Sequence, residues 1–260
     1  MVIPPALTDA AVIASELFES LSIPHVIGGS VASSYYSEWR LTNDVDIAVD
    51  LSPSRIDAFV QRASTSFLVE PSFVLEAVQH KRMFTRVHRS TFVKMDVYVR
   101  ARAGFFDSQL KRARLAAIWA NPRSEVRIRS HEDFVLQKLL CYEQGGRASE
   151  RHWRDVINVL SVWQDRLDEG YLSQWAEQLE LVELLGAAKR EASGLSHKFA
   201  SEGGLIASSS QGAVTTRVRR NPRRNCNAVQ GGASSPSSAA NLWLSPRAAN
   251  SDSREPMRPT

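Results

Sequence analysis

The sequence is poor in cysteine, with only Cys141 and Cys226 among 260 residues, and the two lie far apart. Such sparse thiols argue against a disulfide-stabilised scaffold and predict a cytoplasmic protein. His-x-x-x-His, Cys-x-x-Cys and Gly-x-Ser-x-Gly spacings are all missing, which argues against a zinc site and a serine nucleophile elbow. No basic leader precedes residues 8–21, and no apolar run approaches a membrane span, so neither a signal peptide nor a membrane segment is expected.

Acidic residues are scarce at the C-terminal end, where residues 196–260 hold 9 Lys/Arg and 3 Asp/Glu. Residues 1–195 hold 23 Lys/Arg and 25 Asp/Glu, so the net charge of +4 originates in the tail. From residue 195 the composition turns to Ser, Gly, Ala, Asn, Pro and Arg without apolar periodicity, which predicts a disordered, basic tail over 195–260. Its basic run, 217–224, either contacts nucleic acid nonspecifically or is an extension without a role.

Hydrophobic patterning in the first 194 residues predicts an α/β (α+β) fold with a small mixed sheet and packed helices. The expected division is an α/β core over 1–129 and a helical region over 130–194 that completes a cleft with it. Predicted helices cover 8–21, 30–38, 53–64, 107–120, 131–144, 149–163 and 168–192, and predicted strands cover 25–28, 44–51, 67–70, 82–88, 91–100 and 125–129.

Two aspartates two residues apart, Asp44 and Asp46, lie on one predicted strand. Because side chains alternate along a strand, both carboxylates share one face while Val45 and Ile47 enter the core. Hard oxygen ligands at this spacing suit Mg²⁺, which usually takes one or two protein carboxylates and completes its shell with water and phosphates. Exposed strand faces also carry carboxylates simply for solubility, so the pair alone does not decide between the two interpretations.

A glycine turn precedes the pair, where the predicted strand 25–28 passes through Gly28 and Gly29 to a helix with Ser30 as its predicted N-cap. Free backbone N–H groups at a helix N-terminus bind anions, and the Ser30 hydroxyl adds another donor. The segment predicts a seat for the phosphates of a nucleotide. By itself, a Gly-Gly-Ser sequence is most often only a turn.

The combination is more specific than its parts. A Gly-Ser step, thirteen intervening residues and then Asp-hydrophobic-Asp-hydrophobic resembles the DNA polymerase beta-like nucleotidyltransferase superfamily. The resemblance implies that Gly28, Gly29 and Ser30 hold the triphosphate and that Asp44 and Asp46 hold divalent metal. A third carboxylate normally follows on a nearby strand, and Asp96 fits it as a base toward the acceptor hydroxyl or as a further metal ligand.

Downstream segments narrow the likeness to AbiEii-type toxin nucleotidyltransferases and related bacterial proteins, over about residues 20–165. The matching features are the Arg40-x-Thr-x-Asp-x-Asp strand, a Lys-Leu helix containing Lys138 and an Arg-Asp step ending in Asp155. Lys138 interrupts an apolar helix, so its partner is either a nucleotide phosphate, as the resemblance implies, or Asp155 in a structural ion pair. By pattern alone Asp155 lies on a solvated helix face, and only the resemblance makes it an active-site candidate.

The expected function is transfer of a nucleoside monophosphate from an NTP to an acceptor hydroxyl with Mg²⁺ or Mn²⁺ as cofactor. The acceptor stays open between RNA such as tRNA, a protein and a small molecule. A toxin paired with a cognate antitoxin is one biological role, and a catalytically inactive nucleotide-binding module is the alternative. Arg127 and Arg129 alternate on a predicted strand, where they either steer a polyanion or form an ordinary charged face.

Overall fold

The computed structural model describes residues 5–37, 42–118 and 125–203, with the side chains of 195–203 left aside. Seven strands run over His25–Ile27 (β1), Asp44–Val49 (β2), Phe67–Leu68 (β3), Met83–His88 (β4), Lys94–Val99 (β5), Arg114–Ala117 (β6) and Glu125–Ile128 (β7). Nine helices in the described ranges cover Pro5–Ser20 (α1), Gly29–Tyr36 (α2), Ile56–Ala63 (α3), Pro71–His80 (α4), Gly104–Arg112 (α5), His131–Gln144 (α6), Glu150–Trp163 (α7), Glu169–Gln178 (α8) and Val182–Gly203 (α9).

All seven strands form one mixed sheet in the order β3-β4-β5-β2-β1-β7-β6. The central pair, β2 and β5, is parallel, and so is the pair of β1 and β7, whereas the other neighbours are antiparallel. The predicted fold class, a mixed sheet with packed helices, is confirmed. Because the two strands are parallel, the N-terminal ends of β2 and β5 lie side by side. This geometry positions the candidate site.

The two faces of the sheet differ in what covers them. The odd-numbered β2 residues Val45, Ile47 and Val49 are fully buried in the main core, which includes the stacked rings of Phe18 and Phe59 from α1 and α3. The opposite face carries a much smaller apolar cluster, Val26, Ala48, Tyr98 and Phe106. On that second face, the first residues of β2 and β5 therefore remain available for polar side chains.

Several element boundaries differ from the predictions. Helix α4 fills a segment left unassigned between predicted strands, and β6 replaces the end of the helix predicted over 107–120. The helix predicted over 168–192 is two helices, α8 and α9. The first helix begins at Pro5 rather than at residue 8, so Thr8 is buried inside it, and Gly28 takes the N-cap position of α2 instead of Ser30.

Helices α6 to α9 follow the last strand of the sheet along the chain. Helix α9 continues to Gly203, past the expected boundary at 194, while 204–260 lie outside the described residues. The basic run 217–224, Cys226 and Arg40 are therefore also outside them. Cys141 is a free, buried thiol on α6. Across the described ranges, every helix is too short or too polar to cross a membrane.

Candidate functional site

The structure brings the three predicted carboxylates together near the N-terminal ends of the two central strands. Strands β2 and β5 are paired in parallel register, with Asp46 directly opposite Asp96 and Asp44 opposite Lys94. Directly paired residues of neighbouring strands point to the same face, and neighbouring strands lie about 4.8 Å apart. Asp44, Asp46 and Asp96 are all half-buried, in contrast to the fully buried residues between them. Their carboxylates form one acidic group that water can reach.

The glycine turn lies directly against this group. The Gly28 N–H donates to the Asp46 carbonyl oxygen at 2.9 Å, and Gly29 has a left-handed backbone with φ of +53°. A Cβ on Gly29 would lie 1.7 Å from Asp46 Oδ2, and one on Gly28 would lie 1.9 Å from Arg129 Nη1. The Gly29 position therefore requires glycine, because its backbone is left-handed and the Asp46 side chain occupies the place of a Cβ, whereas at Gly28 the Arg129 guanidinium would have to move.

Ser30 differs from its predicted role as an N-cap. It lies in the first turn of α2, is buried, and its hydroxyl donates to the Asp44 carbonyl oxygen at 3.3 Å and to Asp44 Oδ1 at 3.4 Å. The Thr42 hydroxyl donates to Ser30 Oγ at 2.9 Å and also to Asp44 Oδ1. These hydroxyls fix the orientation of the Asp44 carboxylate relative to α2. Thr42 was part of the recognised motif, but the sequence offered no reason to assign it this contact.

Asp46 is the most perturbed carboxyl of the group. Burial, the Asp44 carboxylate and the Asp96 carboxylate raise its pKa to about 6, while Lys138 and a hydrogen bond from Tyr98 act in the opposite direction. The Tyr98 hydroxyl donates to Asp46 Oδ1 at 3.2 Å. Tyr98 is a site residue to which the sequence prediction gave no role, although its position two residues after Asp96 on the same face was the available signal.

Asp96 is held by the neighbouring antiparallel strand. The Thr85 hydroxyl on β4 donates to Asp96 Oδ1 at 2.6 Å, as expected for residues directly opposite each other in the register. Burial raises the pKa of Asp96, and the nearby Asp44 carboxylate contributes in the same direction. A carboxylate with a raised pKa accepts a proton more readily than an ordinary carboxylate.

Lys138 and Asp155 are paired with each other. Lys138 Nζ lies 2.8 Å from Asp155 Oδ2, and both side chains are buried. The structure therefore contains the ion pair that the sequence left open as one of two partners for Lys138. The solvated position expected for Asp155 from its helical pattern is wrong, because α6 packs over that face of α7. Lys138 also lies near enough to Asp46 to lower the pKa of that carboxyl.

Arg129 belongs to this region although the sequence favoured an ordinary charged face for it. The chain leaves β7 at Ile128, and Arg129 turns inward, only 2% exposed, while Arg127 stays exposed. Its Nε donates to Gln109 Oε1 at 3.3 Å, and its guanidinium lies against Gly28. A buried cation next to the glycine turn partly balances the negative charge of Asp46.

Metal binding has to be judged from the donors present. Among the described residues, no group of three or more His, Cys, Asp or Glu side chains is arranged as a ready metal cage. Mg²⁺ does not require such a cage, because it usually takes one or two carboxylates and keeps several waters. The neighbouring carboxylates that raise the pKa of Asp46 repel its negative charge, and a divalent cation bound between them would reduce this repulsion. Asp44 and Asp46 therefore fit Mg²⁺ or Mn²⁺ as ligands.

Comparison with known proteins gives limited likeness. No family model and no curated protein matches the sequence. An antigenic nucleotidyltransferase-like protein from Paracoccidioides brasiliensis is similar in structure at 15% identity and a TM-score of 0.42, over 73% of this chain and 94% of that one. The antibiotic-resistance factor ANT(2'')-Ia is similar at 13% identity and 0.40, over 76% and 92%. Lincosamide antibiotic adenylyltransferase LnuA follows at 14% and 0.37, over 56% and 92%. The likeness is too low to extend the geometry described above.

Proposed function

We propose that the protein is a metal-dependent nucleotidyltransferase that moves a nucleoside monophosphate from an NTP to an acceptor hydroxyl. The observation that carries the proposal is the parallel register of β2 and β5, which sets Asp46 opposite Asp96 and next to Asp44. Three half-buried carboxylates lie together against a glycine turn and a helix N-terminus, and the repulsion between their negative charges is unfavourable. Such an arrangement is explained by a cation and a polyphosphate that the site receives together.

In the proposed reaction the acceptor oxygen forms a bond to the α-phosphorus, and the bond from that phosphorus to the bridging oxygen of pyrophosphate breaks. The proton of the acceptor hydroxyl passes to the Asp96 carboxylate, whose raised pKa favours this. Asp44 and Asp46 would hold Mg²⁺ or Mn²⁺, which when bound neutralises phosphate charge and orients the triphosphate. Thr85 keeps Asp96 oriented through its 2.6 Å hydrogen bond.

The triphosphate would lie over the first turn of α2. The first N–H groups of a helix have no intrahelical acceptor, so those of Gly29 and Ser30 are available to phosphate oxygens. Lys138 would be a further phosphate contact. Its ion pair with Asp155 is compatible with this role, since an ammonium group has three donors and the pair also holds its position.

Label transfer tests the proposal directly. Purified protein is incubated with each α-labelled NTP, MgCl₂ or MnCl₂, and separate pools of total RNA, protein and small-molecule extract. We expect label on one pool, and we expect the double variant Asp44→Asn, Asp46→Asn to lose transfer by at least 100-fold while keeping its circular dichroism spectrum. The matched control, Asp50→Asn, changes a carboxylate of the same parity just beyond β2 and should retain transfer. Full transfer by the double variant contradicts the mechanism.

A binding-only module is the second candidate, and one observation favours it. Ser30 and Lys138, two groups expected to contact phosphate, both contact protein carboxylates in the structure. Such a module would bind NTP in calorimetry but leave every acceptor pool unlabelled. A toxin role is a separate biological proposal. It predicts that expression arrests bacterial growth, that the double variant does not, and that a cognate antitoxin relieves the arrest.

A further inference from the structure

A cavity of about 260 Å³ lies on the same face of the sheet as the three carboxylates, between β2, α5 and α6. Two guanidinium groups, from Arg100 and Arg129, line it together with the apolar side chains of Phe105, Phe106 and Leu140. The lining residues that the structure describes include three glutamines and no carboxylate. The cavity therefore combines an apolar wall with a concentration of positive charge.

The two arginines carry like charges next to one void. Burial and the neighbouring Arg129 guanidinium lower the pKa of Arg100 to about 10, so that Arg100 is charged at neutral pH. Burial also lowers the pKa of Arg129. Arg100 Nη1 donates to the Lys81 carbonyl oxygen at 3.3 Å, and Arg129 Nε donates to Gln109 Oε1 at 3.3 Å. These bonds hold both guanidinium groups in place, and an anion between them would relieve their repulsion with bidentate, charge-assisted hydrogen bonds.

The cavity is also close to the candidate reaction centre. Ala48, which lines it, follows Asp46 by two residues on the same strand face, a distance of about 7 Å. Tyr98 lies between the two regions, with its hydroxyl on Asp46 and its ring packed in one cluster with Ala48 and Phe106. Tyr98 therefore separates the cavity from the carboxylates, and a small molecule in the cavity would have to extend past its side chain to reach them.

We propose that this cavity binds the acceptor, and that the acceptor is a small organic molecule with a carboxylate or phosphate group, an apolar portion and a hydroxyl. The anionic group would contact Arg100 and Arg129, the apolar portion would contact Phe105 and Phe106, and the hydroxyl would extend beyond Ala48 toward Asp46, two residues or about 7 Å along β2. The assignment rests on the proposed nucleotidyltransferase function and names its acceptor class. A volume of about 260 Å³ is large enough for a small organic molecule.

Calorimetry with simple probes tests the ligand class without any nucleotide. Phenyl phosphate and benzoate are titrated into the full chain, with benzyl alcohol and benzylamine as the neutral and cationic counterparts. We expect an aromatic anion to bind at least tenfold more tightly than either counterpart, and the tighter of the two anions distinguishes a phosphate from a carboxylate ligand. Equal binding of the neutral alcohol, or no binding of either anion, overturns the proposal.

Variants then locate the binding. Arg129→Gln should weaken anion binding at least tenfold, whereas Arg127→Gln, an exposed arginine two residues earlier, should leave it unchanged. Because Arg129 is buried and its loss threatens folding, Ala103→Trp is the second test. Ala103 is an exposed lining residue with extended backbone, so a large side chain there blocks the cavity with both arginines intact. Unweakened binding by Ala103→Trp, or equal weakening by Arg127→Gln, overturns the assignment.

Failure of this assignment is distinguishable from failure of the proposed function. The double variant Asp44→Asn, Asp46→Asn should bind the aromatic anion at least as tightly as the wild type does, because the probe needs no metal or NTP and the substitutions remove negative charge near the cavity. Label on anionic small molecules, with transfer inhibited by the probe, supports the assignment. Label only on RNA or protein overturns the acceptor class while the transferase stands, and absence of label from every pool overturns the transferase and the acceptor role with it.

Discussion

Replacing Asp46 with asparagine should stabilise the metal-free protein at neutral pH. The variant is nearly isosteric, so it fits beside Gly29 and still accepts the hydrogen bond from Tyr98. Burial and the Asp44 carboxylate raise the pKa of Asp46 from 3.8 to about 6, so the folded carboxyl holds its proton more tightly than the unfolded one. The favourable contribution of the Asp46 carboxyl to the free energy of unfolding is therefore fully present below about pH 4. It declines as pH rises toward 6 and is lost above pH 6.

The magnitude follows from the same two pKa values. A rise from 3.8 to about 6 corresponds to about 3 kcal/mol, at 1.36 kcal/mol for each pKa unit. Asp46 is half-buried, so solvent screening reduces this ceiling, and we expect a gain of about 1 to 2 kcal/mol for Asp46→Asn. The gain should appear at pH 7.5 and vanish at pH 4.

Urea unfolding in EDTA at pH 4, 5, 6 and 7.5 measures the effect for the wild type, Asp46→Asn and a control, Asp57→Asn. Asp57 is an exposed carboxylate on α3, and its replacement should change stability by less than about 0.5 kcal/mol. Adding Mg²⁺ should stabilise the wild type more than Asp46→Asn, since a ligand of the folded state stabilises it by mass action. The electrostatic reasoning is refuted if Asp46→Asn is less stable than the wild type at pH 7.5. It is also refuted if the gain in stability over the wild type is as large at pH 4 as at pH 7.5.

Three further predictions concern packing and charge. Gly29→Ala should destabilise the fold by about 2 kcal/mol or more relative to Gly146→Ala in urea unfolding. Both glycines have positive φ, but only at Gly29 does a neighbouring side chain, that of Asp46, occupy the place that the new Cβ would take. Lys138→Met should cost about 3 to 5 kcal/mol in the same assay, since it removes the ammonium group that faces the buried Asp155 carboxylate, and a cost under about 1 kcal/mol contradicts this. His131 is buried, within the described part of the chain neither ring nitrogen has a hydrogen-bond partner, and burial lowers its pKa to about 4. Its contribution to stability falls as pH drops from 6.5 to 4, so His131→Phe should make thermal unfolding less acid-sensitive over that range, and an unchanged pH profile contradicts this.

The strands that carry the acidic group were readable from sequence because each has one buried and one half-exposed face. Alternation placed Asp44 and Asp46 on one face and Asp96 on one face of its own strand, and the observed register agrees with both. The pairing of β2 with β5 depends on contacts between segments fifty residues apart. No local pattern specifies such pairing.

Elements whose state is decided by tertiary contacts were the ones missed. Strand β6 has the sequence Arg-Leu-Ala-Ala, which suits a helix by composition, and it is a strand because it pairs with β7. Helix α4 begins at Pro71, a favourable first helical residue, but its short apolar run between strand-like segments gave no clear period.

Side-chain burial produced the other errors. Asp155 lies on the polar side of its own helix, and only the approach of Lys138 from α6 shows that this side is interior. Arg129 has the same parity as the exposed Arg127, yet β7 ends between them and the chain turns inward. The Ser30 contact with Asp44 likewise joins two segments whose separation is set by the β1 and β2 pairing.

The parallel register of β2 and β5 determines when the acidic group can form during synthesis of the chain. Asp44 and Asp46 are synthesised about fifty residues before Asp96, and Lys138 and Asp155 follow later still. These groups are spread over residues 44–155, so a partly synthesised chain cannot assemble the acidic group before β5 joins the sheet. Division of the chain between Asp46 and Asp96 should therefore yield two inert fragments whose function returns only on reassociation.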